Sequence, residues 1–387
     1  MSKKRKVCVV VTARPSYARV KTALQAIRDH DDLELQLVIA ASALLDRYGT
    51  VTKVIEQEGF RIDRRVFMVL EGESLVTSAK TTGIGLSELA TVFNDLQPDV
   101  VVSIADRYET IATSIAAAYM NIPLAHIQGG EVTGSIDEKT RHANTKLADI
   151  HLVSCAPAAE RVIRMGENPD MVFVTGCPSI DLAREALAKD KGDVASLIAK
   201  YTGVGPPVDP SKPYIVVMQH PVTTQYASSR EHMRLTLEAV HACGHQALWF
   251  WPNVDAGSDG TSSAIRTFRE NHPTMNAHFY KNMAPMDFLS LLINSRGIVG
   301  NSSVAIRECS YLGVPAVNIG SRQERRDRGR NVIDVPHDRS AIEHAIAKIW
   351  NMKDRNHDDI YGTGDAGKKI ADVLARVPLT IEKTLQY

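Results

Sequence analysis

Residues 99–141 read DVVVSIADRYETIATSIAAAYMNIPLAHIQGGEVTGSIDEKTR, and the fold can be worked out from this stretch. Two apolar, β-rich runs, Val100–Ile104 and Ile122–Ile127, each stop abruptly at polar residues. The Ala-rich segment between them is long enough for a helix, so the pattern predicts a β-α-β unit with parallel strands. Ligands of such sheets bind beyond the carboxyl ends of the strands. The polar side chains expected there are Asp106, Arg107, Gln128, Glu131, Asp137 and Glu138.

The same alternation of strand and helix runs through the rest of the chain. The first series of predicted strands covers residues 7–12, 35–41, 100–104, 122–127 and 172–175. The second series covers residues 214–218, 246–251, 297–299 and 315–319. This order predicts an α/β protein with two Rossmann-like, doubly wound domains, and a ligand clamped in a central cleft between them.

The domain boundaries follow from composition. We expect a first domain at residues 1–180 that carries the acidic side chains. A polar helix and the Pro/Gly-rich sequence TGVGPPVDPSKP make residues 181–213 a connection. A second domain then covers residues 214–365, and residues 366–387 form a last helix and a tail that pack back on the body.

Composition limits the function. Lys plus Arg and Asp plus Glu both number 45, so no overall charge favours nucleic acid or an anionic membrane, and a small-molecule partner is expected. The five scattered cysteines have no CxxC spacing, which indicates reduced thiols in a cytoplasmic protein and no zinc site. The basic start is followed by a strand pattern and not by the apolar core of a signal peptide.

Two loops are candidates for binding phosphate. Arg14 and Arg19 lie in a predicted strand-to-helix loop, where free N–H groups and the helix dipole favour anions; solvated surface arginines are the alternative. His220 follows the first strand of the second domain, immediately before a proline. A histidine in such a position is often structural, but its place at the strand tip favours a phosphate contact.

The segment GNSSVAIRE predicts a strand end, a polar turn and a helix. Ser302 and Ser303 stand at the helix start, where they form either an anion site or a plain N-cap. Glu308 is expected about 9 Å along the helix, roughly the distance from a phosphate to a ribose. The Gly362–Gly367 sequence fits GxGxxG, but no strand precedes it, so we interpret it as a turn before the last helix.

Taken together, the motifs resemble one family. R-x-x-Y, ADRYET, HIQGGEVTGSIDEKTRHANTKLADIH, GCPS, QHPVTT, PNVDAGS and GNSSVAIRE, spread over residues 7–335, resemble the hydrolysing UDP-N-acetylglucosamine 2-epimerases of sialic and legionaminic acid biosynthesis. The resemblance implies the GT-B type of fold and a UDP-sugar substrate held mainly by the second domain. It also implies a cytoplasmic homodimer or homotetramer that needs no cofactor and no metal.

The resemblance assigns roles to individual residues. The positions that match UDP contacts are Arg14, Arg107, His220, Asn253, Ser302, Ser303, Glu308 and Arg322. Asp106, Glu131 and Asp137 match acidic positions around the sugar, and Gln128 and Glu138 complete the candidate catalytic set. Many members have HIEGG where this chain has HIQGG, and an amide cannot act as a carboxylate base. Ala18 replaces a serine that touches the nucleotide in some members.

The implied reaction is elimination of UDP to a glycal, followed by addition of water, which releases a free 2-epimeric sugar of the N-acetylmannosamine type. The sugar stays open between N-acetylglucosamine and a 2,4-diacetamido-trideoxy analogue. A non-hydrolysing 2-epimerase, a glycosyltransferase of the same architecture and a nucleotide-sugar sensor are the alternatives. The HIQGGEV sequence, in place of an HVEAGLRT-like motif, speaks against the first of these.

Overall fold

The structure, a computed structural model, describes residues 3–45, 51–71, 75–133, 137–189, 193–252, 258–353 and 355–386. The chain divides into two units. The first comprises Met1–Glu131, Ile136–Asp181 and Tyr361–Tyr387, and the second comprises Val132–Ser135 and Leu182–Ile360.

The first unit is built on a parallel sheet with the strand order β3-β2-β1-β4-β5-β6-β7. Its strands are β1 (Arg5–Val11), β2 (Leu33–Ala40), β3 (Arg64–Val66), β4 (Val100–Ile104), β5 (Leu124–Ile127), β6 (Ile150–Val153) and β7 (Val172–Val174). The apolar runs form strands because both faces of the sheet are covered. The strand order reverses between β1 and β4, so the loop after β4 borders the crevice where such sheets bind ligands.

The second unit has a sheet of the order β14-β13-β12-β9-β10-β11-β8, in which only β8 is antiparallel to its neighbour within the described residues. Its strands are β8 (Gly203–Val204), β9 (Tyr214–Met218), β10 (Gln246–Phe250), β11 (Ala277–Tyr280), β12 (Ile298–Gly300), β13 (Ala316–Ile319) and β14 (Val332–Val335). The order reverses between β12 and β9, so the loops after these two strands border the second crevice. The predicted α/β class with two Rossmann-like domains is confirmed.

Helices cover both faces of each sheet. They are α1 (Arg14–Asp29), α2 (Val51–Gln57), α3 (Leu75–Leu96), α4 (Thr110–Tyr119), α5 (Asp137–Leu147), α6 (Ala156–Arg164), α7 (Pro178–Ala188), α8 (Val194–Ala199), α9 (Ser229–Cys243), α10 (Ser258–Asn271), α11 (Pro285–Asn294), α12 (Ser303–Ile306), α13 (Glu308–Leu312), α14 (Arg339–Trp350) and α15 (Ala366–Arg376). Short 3₁₀ helices occupy Ala41–Leu44, Pro169–Met171 and Thr223–Ser228. None of the helices that the described residues form has both the length and the apolar character needed to cross a membrane.

The structure differs from the predicted boundaries at residues 181–213. Leu182 and Ala186 of α7 are buried in the core of the second unit, and β8 lengthens its sheet, so these residues are not a separate connection. A two-residue strand has no periodicity from which it could have been predicted. The chain returns to the first unit at Tyr361, ahead of the predicted residue 366.

Two predicted loops or helices also differ. Helix α1 already begins at Arg14, with Pro15 in its first turn, so Arg14 and Arg19 are helical and not loop residues. The helix predicted after Ser302 is broken at Arg307, whose ψ of −75° ends α12 before α13 begins at Glu308.

His126 joins the carboxyl ends of β4 and β5. Its Nε2 lies 2.9 Å from the Ala105 carbonyl oxygen, and its Nδ1 lies 3.1 Å from Thr145 Oγ1. Because a carbonyl only accepts, Nε2 carries the proton and Nδ1 is an acceptor. Thr145 Oγ1 also lies 3.1 Å from the Arg141 carbonyl oxygen, so its one proton is shared between these two acceptors. Ala105 has a φ of 61°, a left-handed conformation that is strained for alanine. The bond from His126 stabilises this turn, which leads directly into Asp106.

Gly300 brings the ends of β12 and β9 together. It has a φ of 137°, and a Cβ at this position would lie 2.0 Å from the Met218 carbonyl oxygen. Side chains other than glycine have no room at this approach. Gly244, which follows α9, has a φ of 66° but open space around it. A substitution at Gly244 therefore changes the backbone conformational energy without causing a steric clash.

We expect Gly300→Ala to lower the free energy of unfolding of the second unit by about 3 kcal/mol or more, because the backbone must move as well as adopt a strained φ. Gly244→Ala should lower it by only about 1 kcal/mol. Denaturant unfolding followed by tryptophan fluorescence measures the free energy of unfolding of the second unit, since Trp249, Trp251 and Trp350 all lie in it. Equal losses in the two variants would contradict the close approach.

We also expect acid to destabilise the protein through His126. Burial lowers the pKa of His126 from 6.5 to about 4, so between these pH values the unfolded chain binds a proton that the folded protein does not. The contribution of His126 to the free energy of unfolding is fully present above pH 6.5. It falls by about 3 kcal/mol as the pH is lowered towards 4. Urea unfolding followed by far-UV circular dichroism across this range measures it. The non-titrating variant His126→Gln should show a flatter dependence, and an unchanged slope would exclude His126 as its source.

Candidate functional site

A buried arginine organises the acidic side chains at the carboxyl edge of the first sheet. Arg141, on α5, has a side chain only 1% exposed. It donates through Nη2 to Asp106 Oδ2, and through Nη1 to Glu138 Oε2 at 3.1 Å and to the Glu131 carbonyl oxygen at 2.9 Å. One guanidinium group therefore connects the loop after β4, the loop after β5 and the first turn of α5.

The charge of Arg141 is maintained by its neighbours. Burial alone lowers the pKa of this guanidinium, but the carboxylates of Asp106, Glu131 and Glu138 outweigh burial and raise it. The cation in turn stabilises the ionised form of the carboxylates around it. The sequence analysis did not include Arg141, although the DEKTRH segment places it three residues after Glu138, on the same face of a helix.

Helix α5 presents two of the predicted catalytic residues in its first turn, Asp137 and Glu138. Carboxylates are favoured there by the positive end of the helix dipole. Glu138 also accepts a hydrogen bond at 3.0 Å from His142, one turn further along. Asp137, at the first position of the helix, is half-buried. Two adjacent carboxylates at a helix start are a suitable arrangement for proton transfer.

Glu131 is 1% exposed, and its Oε1 accepts a hydrogen bond from Ser154 Oγ at 2.7 Å. The preceding Gly130 has a φ of 72°, and a Cβ there would lie 2.2 Å from the Ala158 carbonyl oxygen of α6. The second glycine of HIQGGE is therefore needed because α6 packs directly on this turn. The packing of this turn fixes the position of Glu131, which is the next residue.

Gln128 is 1% exposed and also has a left-handed backbone, with a φ of 68°. Its Nε2 lies 3.0 Å from the sulfur of Cys177, which in turn lies 3.1 Å from Ser179 Oγ. The Gln128 Oε1 is buried and has no hydrogen-bond partner among the described residues. An amide cannot remove a proton, so Gln128 can only donate or accept hydrogen bonds.

Arg107, predicted to bind diphosphate, is a quarter exposed and donates through Nε to Glu109 Oε1 at 2.7 Å. Glu109 is 1% exposed, and its second oxygen is buried without a partner in the part of the chain that the structure describes. Glu109 is a further residue that the sequence analysis missed, although it lies within the ADRYET motif. This ion pair fixes the guanidinium group of Arg107 relative to the loop after β4.

In the second unit, Asn301 fixes the loop that carries His220. The Asn301 side chain accepts from the His220 N–H at 2.7 Å and donates to the His220 carbonyl at 2.9 Å. Arg322 and Gln323 donate to the Asn301 carbonyl at 3.1 and 3.0 Å. The predicted residues His220 and Arg322 are therefore brought together through Asn301, which the sequence analysis did not single out.

Ser302 is the N-cap of α12, and its Oγ accepts from the Val304 N–H at 3.4 Å, so the plain capping role is present. Ser303 begins the helix. Glu308 begins α13 beyond the break at Arg307, and its Oε2 is buried without a hydrogen-bond partner within the described ranges. A buried carboxylate oxygen without a donor is costly unless a ligand supplies one.

Three further residues were predicted to bind phosphate. Arg14 begins α1, Arg19 is half-buried on the same helix, and Asn253 lies outside the described residues. Among the residues that the structure describes, no three His, Cys, Asp or Glu side chains converge as metal ligands do. The first unit can therefore supply acids and bases, and the second can supply hydrogen-bond donors at two strand ends.

Comparisons with known proteins agree with the motifs. The profile of the UDP-N-acetylglucosamine 2-epimerase family matches residues 25–375. A UDP-N,N'-diacetylbacillosamine 2-epimerase (hydrolyzing) from Legionella pneumophila is 30% identical over 375 residues, which cover 97% of each chain. A UDP-N-acetylglucosamine 2-epimerase from Neisseria meningitidis is 27% identical over 366 residues, which cover 94% of this chain and 92% of that protein.

The crystal structure of a UDP-GlcNAc 2-epimerase from Neisseria meningitidis, bound to UDP-GlcNAc, matches with a TM-score of 0.81 at 19% identity. The match covers 95% of this chain and 99% of that chain. This likeness confirms the expected GT-B type of fold. Because the family profile also spans most of the sequence, the chain belongs to the UDP-N-acetylglucosamine 2-epimerase family.

Proposed function

We propose that the chain is a hydrolysing UDP-N-acetylglucosamine 2-epimerase that acts in nonulosonic acid biosynthesis. It converts UDP-GlcNAc, or a 2,4-diacetamido-trideoxy analogue, and water into UDP and the free 2-epimeric sugar. The observation that carries this proposal is the set of carboxylates arranged around Arg141 at the carboxyl edge of the first sheet. The Legionella pneumophila relative, a hydrolysing UDP-N,N'-diacetylbacillosamine 2-epimerase, supports the hydrolysing branch.

The reaction needs a base, an acid and a stabilised leaving group. A base removes the proton from C2 while the C1–O bond breaks, so that UDP leaves and a C1–C2 double bond forms. Water then adds to C1 and a proton returns to C2 from the opposite face. Two carboxylates can divide these roles if their environments separate their pKa values.

We assign the proton transfers to Asp137 and Glu131, with Asp106 orienting the sugar. Glu131 accepts a hydrogen bond from Ser154, whereas Asp137 stands half-buried at the helix start, so their surroundings differ. Gln128 has no part as a base and serves as a hydrogen-bonding group beside the sugar. Glu138 holds Arg141 in place for this set.

The UDP portion is assigned mainly to the second unit. His220, Ser302 and Ser303 follow β9 and β12, next to the reversal of strand order, which is where doubly wound sheets bind nucleotides. Arg322 follows β13 and reaches the same place by donating to the Asn301 carbonyl. The buried, unpartnered Oε2 of Glu308 suits the hydroxyl groups of a ribose. Arg107 of the first unit, with Arg14, Arg19 and Asn253, completes the proposed set. Each contact to the leaving diphosphate contributes about 2–4 kcal/mol to lowering the barrier.

Two other activities use the same fold. A non-hydrolysing 2-epimerase returns a UDP-sugar, and a glycosyltransferase transfers the sugar to an acceptor. The acidic loop that contains Glu131 and Asp137 favours proton transfer over simple glycosyl transfer.

We further propose a cytoplasmic homodimer or homotetramer whose only small-molecule partner is the UDP-sugar.

The first test is turnover in D₂O. We expect the free sugar to carry deuterium at C2 and UDP to be released in equal amount, because C2 is reprotonated from solvent. Mass spectrometry of the sugar and chromatography of the nucleotide measure both, with UDP-GlcNAc and a diacetamido-trideoxy analogue as substrates. Product with protium at C2 would exclude the elimination route, and recovery of a UDP-sugar would identify the non-hydrolysing reaction.

The second test separates chemistry from nucleotide binding. Asp137→Asn should lower kcat by about 100-fold or more while leaving the Kd for UDP unchanged, because general acid–base catalysis is lost. Glu308→Gln should raise the Kd for UDP about tenfold and change kcat little, because a charge-assisted hydrogen bond is weakened. Steady-state kinetics and calorimetric titration with UDP measure the two effects. Each variant is the control for the other, and the reverse pattern would refute both assignments.

A further inference from the structure

The last residues of the chain bind the end of α5 opposite to Asp137. We call residues 378–386, which follow α15, the C-terminal strap. Lys383 Nζ in the strap donates to the Ala148 carbonyl and lies 3.5 Å from the Thr145 carbonyl oxygen, at the carboxyl end of α5. A lysine at this position satisfies carbonyls that have no partner within the helix and complements the negative end of its dipole.

Lys383 also reaches a buried carboxylate. Its Nζ lies 2.6 Å from Oε2 of Glu167, a side chain only 2% exposed. Glu167 binds Lys146 of α5 at 2.5 Å and His151 of β6 at 2.9 Å. One carboxylate thereby joins the strap, helix α5 and strand β6, which lies next to the edge strand β7. The surrounding titratable groups also include Asp149.

The ionisation of this cluster keeps it intact at neutral pH. Burial acts to raise the pKa of Glu167, but hydrogen bonds from His151, Lys146 and Lys383 lower it to about 2. Burial lowers the pKa of His151, so at neutral pH the imidazole is neutral and donates a hydrogen bond. A permanently charged carboxylate with two ammonium partners is a strong buried contact, and removing one partner weakens it markedly.

The strap itself is fixed at both ends. Helix α15 packs along α1, and Asp181 accepts hydrogen bonds from the Ala366 and Gly367 N–H groups at its start, at 2.8 and 2.7 Å. At the other end of the strap, the Gln386 N–H donates to the Gly166 carbonyl at 3.0 Å. Lys383 is therefore held by a segment that is fastened on both sides.

A continuous path leads from Lys383 to the acidic cluster. Thr145, whose carbonyl faces Lys383, bonds His126 through its hydroxyl, and His126 bonds the Ala105 carbonyl next to Asp106. The same helix carries Arg141 one turn before Thr145, and Asp137 one turn before Arg141. A helix of 11 residues is about 16 Å long and shifts as a rigid body, so its carboxyl end sets the place of its first turn.

We propose that Lys383 is a positioning residue, and that the C-terminal strap sets the placement of α5 and thus of Asp137 and Arg141 in the acidic cluster. The role in turnover rests on the proposed epimerase function. Lys383 touches no reacting atom in this account, and it acts only through the helix.

The test compares Lys383→Met with Lys383→Arg and with Lys369→Met. Lys383→Met should lower kcat about tenfold, with the Kd for UDP unchanged within twofold, and Lys383→Arg should restore kcat to within about threefold. Lys369, on α15 and paired only with the exposed Asp365 among the described residues, is the matched control for loss of one lysine, and its variant should match the unaltered protein. A deletion of residues 381–387 should reproduce Lys383→Met.

Hydrogen-exchange mass spectrometry separates positioning from general destabilisation. In Lys383→Met, exchange should rise in peptides covering α5 and stay unchanged in those covering β1 and β4. Unchanged kcat together with unchanged α5 exchange would overturn the proposal, and so would faster exchange throughout the first unit. If the unaltered protein releases no UDP from either sugar nucleotide, the proposed function fails, but the α5 exchange still decides whether the strap holds this helix.

Discussion

The first unit depends on the burial of one guanidinium group. Placing Arg141 at 1% exposure is unfavourable unless each of its N–H directions meets an acceptor, and Asp106, Glu138 and the Glu131 carbonyl provide them. These acceptors come from three different segments, so satisfying the arginine fixes the segments relative to one another. The acidic groups therefore hold their arrangement before any substrate arrives, which is the condition for electrostatic stabilisation of a transition state.

In the second unit, a neutral side chain holds two loops relative to one another. Asn301 pairs with both backbone groups of His220, and its own carbonyl is covered by Arg322 and Gln323. An amide can bridge two strand ends without placing negative charge there. The choice of bridging residue agrees with the roles that we propose, since a carboxylate cluster suits proton transfer and a neutral bridge adds no negative charge where a diphosphate would bind.

The sequence predicted what local patterns control. Apolar runs that end at polar residues located β4, β5, β9 and β12, and therefore the strand ends where Asp106, Glu131, His220 and Ser302 lie. It did not predict features that depend on distant partners. The break at Arg307 and the burial of Arg141 arise from tertiary packing. Strand β8 is too short to show the alternation of apolar and polar residues that identifies a strand. The early start of α1 did have a local signal, because Pro15 favours the first turn of a helix.

Gln128 is best understood through the charge around it. Asp106, Glu131, Asp137 and Glu138 already bring four carboxylates to one sheet edge, and Arg141 is bonded to three of the segments that carry them. A fifth carboxylate at position 128 would disfavour ionisation of its neighbours. An amide keeps the hydrogen-bonding capacity and adds no further negative charge to this sheet edge. On this reasoning, HIQGG in place of HIEGG agrees with the proton transfers that we propose for Asp137 and Glu131.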